Sequence, residues 1–154
     1  MAELRTLCAE LGHADATTFI ASGNVLFPGA PPDVRALEEA IAERFGVRTT
    51  AIVRTAEQLR TLVAARPFGN RAPDCFVAFL ARKPANANFE ALSTSDFPDE
   101  AWERVGPDLA LLYPSSFHRA KLTGARLERL LNTEATLRNW RTVTKLAELA
   151  AEAP

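Results

Sequence analysis

The run Cys75-Phe76-Val77-Ala78-Phe79-Leu80-Ala81 constrains this chain more than any other segment. It is apolar throughout, so a strand built from it has no face suited to water and must be covered on both sides. It is also far too short to cross a membrane. The surroundings must therefore supply cover on both faces as well as neighbouring strands, and the element order that follows makes the fold class α+β.

Local punctuation supplies those elements. Downstream, a weak helix is expected around Phe89 and Leu92. A hairpin follows, from Trp102–Val105 to Leu109–Tyr113, turning at Gly106-Pro107-Asp108. Leu122, Leu127, Leu130 and Leu131 mark a helix, residues Ala135 to Asn139 a short extended stretch, and about Arg141 to Ala151 the last helix. Upstream, residues 2–11 place Leu4, Leu7, Cys8 and Leu11 at helical spacing, with Gly12 as the stop. Thr17–Ala21 and Val25–Phe27 flank Ser22-Gly23-Asn24, residues that accept the positive φ of a hairpin turn. Asp33 can cap a helix carrying Val34, Leu37, Ile41 and Phe45 on one face, closed by Gly46. A strand at Thr49–Val53 and a helix through Leu59, Leu62 and Val63 follow.

The downstream order is strand, helix, strand, strand, helix, strand, that of a ferredoxin-like plait. The upstream half has the same order without its first strand. Two tandem ferredoxin-like (α/β plait) subdomains are the economical reading, residues 1–70 with a connecting helix and residues 71–154. The segment 66–74, with two prolines and a glycine, is the expected linker.

With 47% hydrophobic residues the chain can bury a proper core. The formal net charge of -1 argues against a dedicated nucleic-acid or membrane-surface protein. The charge is uneven, however. Between His118 and Leu146 seven basic residues face two acidic ones, a surplus of +5 that leaves the remainder at -6. Cys8 and Cys75 cannot form a disulfide framework, and with His13 and His118 far apart no metal site is expected. No cofactor motif is present, and no signal peptide or membrane span is read. The expectation is a soluble, cytoplasmic protein, with oligomeric state open.

The densest chemistry lies in Thr136–Leu146, where Arg138, Asn139, Trp140 and Arg141 adjoin a helix start. Guanidinium groups can fork onto phosphate or carboxylate, an indole can stack, and free amides at a helix start can donate. The alternative is a structural junction, with Trp140 packed, Asn139 or Thr142 capping the helix and Arg138 paired with a carboxylate. Arg119 and Lys121, expected at the start of the preceding helix, are the second candidate pair, since an anion there would offset a lysine facing the macrodipole. Ser115, Ser116 and His118 lie close together but form no nucleophile motif. Asp96, Asp99, Glu100 and Glu103 read as a solvated acidic face.

The hairpin Phe19–Phe27, the Arg66-Pro67-Phe68 turn and the Thr136–Leu146 stretch resemble the bacterial domain of unknown function 1697 family. The resemblance implies two ferredoxin-like halves and no established activity. It also implies a strand and a glycine-rich loop ahead of the first helix, which a truncated gene or misplaced start would have removed here. Relative to the family pattern, Leu137 and Arg141 stand in place of a threonine and an asparagine. The segment Ser116–Leu122 likewise lacks the family's glycines.

Two functional classes follow. One is a binding or regulatory module whose basic C-terminal surface (Arg119, Lys121, Arg138, Asn139, Trp140, Arg141) takes nucleic acid or a phosphorylated metabolite. The other is an enzyme acting on a small anionic substrate in a cleft between subdomains. A structural oligomerisation module is a third possibility.

Overall fold

A computed structural model describes residues 1–153, apart from the side chains of residues 70, 72 and 73. The chain is α+β and divides into two compact units. One comprises Met1–Ala56 and the chain end from Leu146; the other is Glu57–Lys145.

The first unit begins with α1 (Ala2–Glu10), the antiparallel pair β1 (Thr17–Phe19) and β2 (Asn24–Leu26), and α2 (Val34–Phe45). Gly23 supplies the positive φ of the hairpin turn. Asp33 caps α2 by accepting the Ala36 N–H at 3.1 Å, and Gly46 ends it in the left-handed conformation. Cys8, Ala16 and Leu37 form the buried centre, with Leu4, Val25, Phe27 and Ile41 against it. Arg44 and Glu10 join α2 to α1 by an exposed ion pair.

The strand expected at Thr49–Val53 does not form. In a plait that strand pairs with the first one, and among the described residues no strand precedes α1. The Ala51 N–H instead goes to the Glu38 carboxylate at 2.7 Å, so a side chain takes a donor that a ladder would have used.

The second unit holds α3 (Ala56–Ala65), β3 (Cys75–Leu80), α4 (Asn86–Thr94), β4 (Ala101–Val105), β5 (Asp108–Leu112), α5 (Gly124–Leu131) and β6 (Ala135–Asn139); α6 (Trp140–Glu152) follows directly. The segment 66–74 is folded into local turns, with Pro67 buried and a 3-10 stretch at Gly69–Asp74. The side chains of Asn70, Ala72 and Pro73 in it lie outside the described residues.

The sheet order is β4-β5-β3-β6, every pair antiparallel. The apolar run is thus β3, paired on both edges. Its alternate residues Ala78 and Leu80 join Leu109 and Leu111 of β5, Phe89 and Leu92 of α4, and Leu127 and Leu131 of α5 in one core. Val77 and Ala110, on the opposite face, are also 0% exposed. The sheet ends at Leu80, whose N–H is held by the buried Asp108 carboxylate at 3.0 Å. Among the described residues no helix is long and apolar enough to cross a membrane.

Leu127 sits fully buried at the centre of this core. Leu127→Ala should cost roughly 2–5 kcal/mol, through lost burial and the cavity left behind. Urea unfolding, read as a lower midpoint at constant slope, checks it.

Candidate functional site

The strand registers gather the chemistry at one end of the sheet. Cys75 pairs with Leu112, Phe76 with Asn139, and Ala101 with Leu112. The chain therefore enters β4 from Glu100, leaves β5 into Tyr113–Lys121 and leaves β6 into Trp140 and Arg141 at that same end. The two clusters expected from the sequence, Arg119 with Lys121 and Arg138 through Arg141, are both positioned by it.

The loop after β5 is anchored by aromatics. Phe117 stacks on Phe76 with ring centroids 4.5 Å apart and meets Tyr113 edge-on at 5.5 Å, yet remains 41% exposed. The buried Tyr113 hydroxyl donates to the Leu122 carbonyl at 2.9 Å. Burial first, and the nearby Glu100 carboxylate second, push the Tyr113 phenol above its ordinary range.

Glu100 is the residue that sequence reasoning misjudged. Its Oε1 accepts the Lys121 N–H and, at 3.3 Å, the Leu122 N–H. Its Oε2 is buried and has no hydrogen-bond partner among the described residues. The carboxylate is thus turned inward and does not belong to a solvated acidic face. No local signal could have shown this, because its partners lie far along the chain.

The same bonds correct the placement of Lys121 and Leu122. Neither begins a helix: α5 starts at Gly124, with Thr123 accepting the Arg126 N–H at 3.3 Å as the cap. Lys121 therefore does not oppose the macrodipole of α5, and Leu122 is buried ahead of the helix. Arg119 closes a short 3-10 turn, Phe117–Arg119, and both it and Lys121 are exposed. Together with Asp99, Glu100, Ser115 and Ser116 they line a small pocket of about 40 Å³. Ser116 holds φ at 142°, which side-chain-bearing residues rarely adopt. Its hydroxyl accepts the His118 backbone N–H at 3.2 Å.

The β6 residues divide by role. Arg138 lies opposite Val77, and its Nη1 donates to Thr136 Oγ1 at 2.6 Å and the Leu137 carbonyl at 2.9 Å. Burial lowers its guanidinium pKa from the ordinary value. Asn139 Oδ1 accepts the Thr142 N–H at 2.8 Å and so caps α6. Trp140 is half-buried, with its carbonyl accepting from Thr144 Oγ1 at 2.9 Å. Arg141 is exposed. The cations presented outward are thus Arg119, Lys121 and Arg141. Among the described residues no group of His, Cys, Asp and Glu is arranged to hold a metal.

A family model described as Protein of unknown function (DUF1697) matches residues 1–109. No curated protein and no solved structure matches the chain. The loop after β5 and the β6–α6 junction lie beyond the matched segment.

Two outcomes follow from this geometry. Asn139→Ala should lower stability by about 1 kcal/mol through the lost cap, measurable by urea unfolding. Tyr113 and Cys75 both titrate higher in the folded chain than their ordinary values of 10.0 and 9.0, and Cys75 is raised to about 11, chiefly by burial. Their contribution is therefore complete below those ordinary values and is lost as pH climbs above them. Melting temperature should fall on going from pH 8 to 11 (roughly spanning both ordinary values), and Tyr113→Phe should flatten the decline.

Proposed function

The chain belongs to the DUF1697 family of proteins of unknown function, and we propose that it is a binding module whose sheet end, at Arg119, Lys121 and Arg141, holds a small anionic ligand such as a phosphorylated metabolite. One observation carries this reading. The strand registers bring Arg119, Lys121 and Arg141 to one sheet end, and all three are exposed with no carboxylate within 4 Å among the described residues. Exposed cations left unpaired at one sheet end attract anions, and two guanidinium groups can each fork onto phosphate.

Sheet burial favours a small molecule over nucleic acid. Plait proteins that bind RNA stack bases on an open sheet face. Here Val77 and Ala78 are both 0% exposed, so β3 offers bases no surface on either face. Phe117 is the exposed aromatic near the cations, too few for a strand-length platform.

The finer fold reading, two tandem ferredoxin-like halves, is supported by the β3-α4-β4-β5-α5-β6 order and the α1-β1-β2-α2 order before it. The free, buried Cys8 and Cys75 support a reducing, cytoplasmic setting.

A thermal-shift screen of phosphorylated metabolites should raise the melting temperature for at least one compound class. The shift should shrink with added salt, and the Arg119→Ala/Arg141→Ala pair should weaken binding by about tenfold or more. A panel without any stabiliser sinks the proposal. Tighter binding of a single-stranded oligonucleotide than of any metabolite would move the ligand class to nucleic acid.

A further inference from the structure

The hairpin end of the sheet holds a second, larger pocket, at the end opposite the loop that follows β5. We infer that it binds a small aromatic carboxylate, with Arg104 and Lys83 on the charged group and the ring against Pro107.

The walls of this pocket are held in place by the backbone. On one side Val105 pairs with Asp108 across the turn Gly106-Pro107, where Gly106 takes a φ of 56° and the Pro107 ring restricts its own φ. On the other side the chain leaves β3 with three successive amides bonded. Leu80 N–H goes to the Asp108 carboxylate at 3.0 Å, Ala81 N–H to the Glu134 carbonyl at 2.9 Å and Arg82 N–H to Thr133 Oγ1 at 3.0 Å. Lys83 is the next residue, so its side chain starts from an anchored point. Between the walls lie about 300 Å³, the lower end of the range that small-molecule sites occupy.

Two cations line that space with their charges uncommitted. Alternation along β4 puts Arg104 on the face of Trp102, which packs against the core. The Arg104 guanidinium lies 4.0 Å over the Phe89 ring, a contact that restrains the group and leaves its N–H donors unused. Arg104 and Lys83 are both exposed, and among the described residues neither has an ion-pair partner. Asp108 does not neutralise them, because it is 4% exposed and its carboxylate holds the Leu80 amide.

Charge and shape then choose the ligand. Lys83 and Arg104 against Asp108 leave the lining at +1, which one carboxylate cancels and a phosphate dianion oversteps. A carboxylate alone leaves most of the space to water. The exposed Pro107 ring and the methylene stems of the two cations offer apolar contact, and a guanidinium face can stack on a planar ring. An aromatic body answers both surfaces.

Amide chemical-shift mapping on the isotope-labelled full chain separates this pocket from the anion site at the opposite sheet end. Phenylacetate should give its largest shifts at Lys83, Gly106 and Asp108. Acetate, without the ring, and phenylacetamide, without the charge, should each bind about tenfold more weakly or worse. Phenyl phosphate should also bind here more weakly than phenylacetate. Arg104→Gln should weaken phenylacetate binding by about tenfold or more, with the shift dispersion of the folded chain retained. Lys83→Gln removes the other charge without touching the Phe89 contact and should weaken binding as well.

No shift at those three amides up to about 10 mM phenylacetate overturns the inference and leaves the anion site standing. Shifts confined to Arg119, Lys121 and Arg141 overturn it too, and support the anion site. Binding undiminished in both variants, or acetate as tight as phenylacetate, likewise overturns it. Phenyl phosphate binding more tightly than phenylacetate at these amides overturns the choice of a carboxylate.

Discussion

The unit formed by Glu57–Lys145 depends on how β3 is paired. Its residues leave no polar face to expose, and its backbone needs partners on both edges. β5 and β6 supply the hydrogen bonds, while α4 and α5 cover the face carrying Ala78 and Leu80. With β3 inside, the two connections must each pass over the sheet, and both helices lie against the same core. The unit's topology follows from keeping one apolar segment dry.

That arrangement also fixes where chemistry can gather. Antiparallel registers bring the start of β3 level with the ends of β5 and β6. The polar residues following those two strands are then held at one sheet end, although they are far apart in the sequence. Aromatic packing of Phe117 on Phe76 and the Tyr113 hydroxyl bond hold the loop, so Arg119 and Lys121 project from an anchored segment. Glu100 closes the arrangement from the β4 side by taking two backbone amides.

What could be read from the sequence was whatever local chemistry decides. The apolar run, the Gly106 hairpin, the Asp33 cap and the short strand ending at Asn139 each carry their cause within a few residues, and each forms. The misplacements share the opposite property. Thr49–Val53 has the composition of a strand, but a strand exists only beside a partner, and Glu38 takes the Ala51 amide instead. Leu122 has helical spacing, yet Glu100 captures its amide before the helix starts. At the candidate site, the types of residue were legible while their roles were not. Asn139 proves to be a cap, and Arg138 spends donors on its own strand, whereas Arg141 faces outward. Charge patterning alone could not separate them, because it carries no information about which donors the backbone has already claimed.

The pairing of β3 with β6 also sets an order of events during synthesis. β3 can pair with β5 as soon as the hairpin has been made, but its other edge stays open until the chain has been extended through Asn139. For that interval an apolar strand presents unpaired amides and carbonyls, the form most prone to adding a foreign strand. Non-local pairing of this kind is slow, since loop closure must precede the contacts that reward it. The last short strand therefore acts as a seal, and the nascent chain is at its most vulnerable just before β6 arrives.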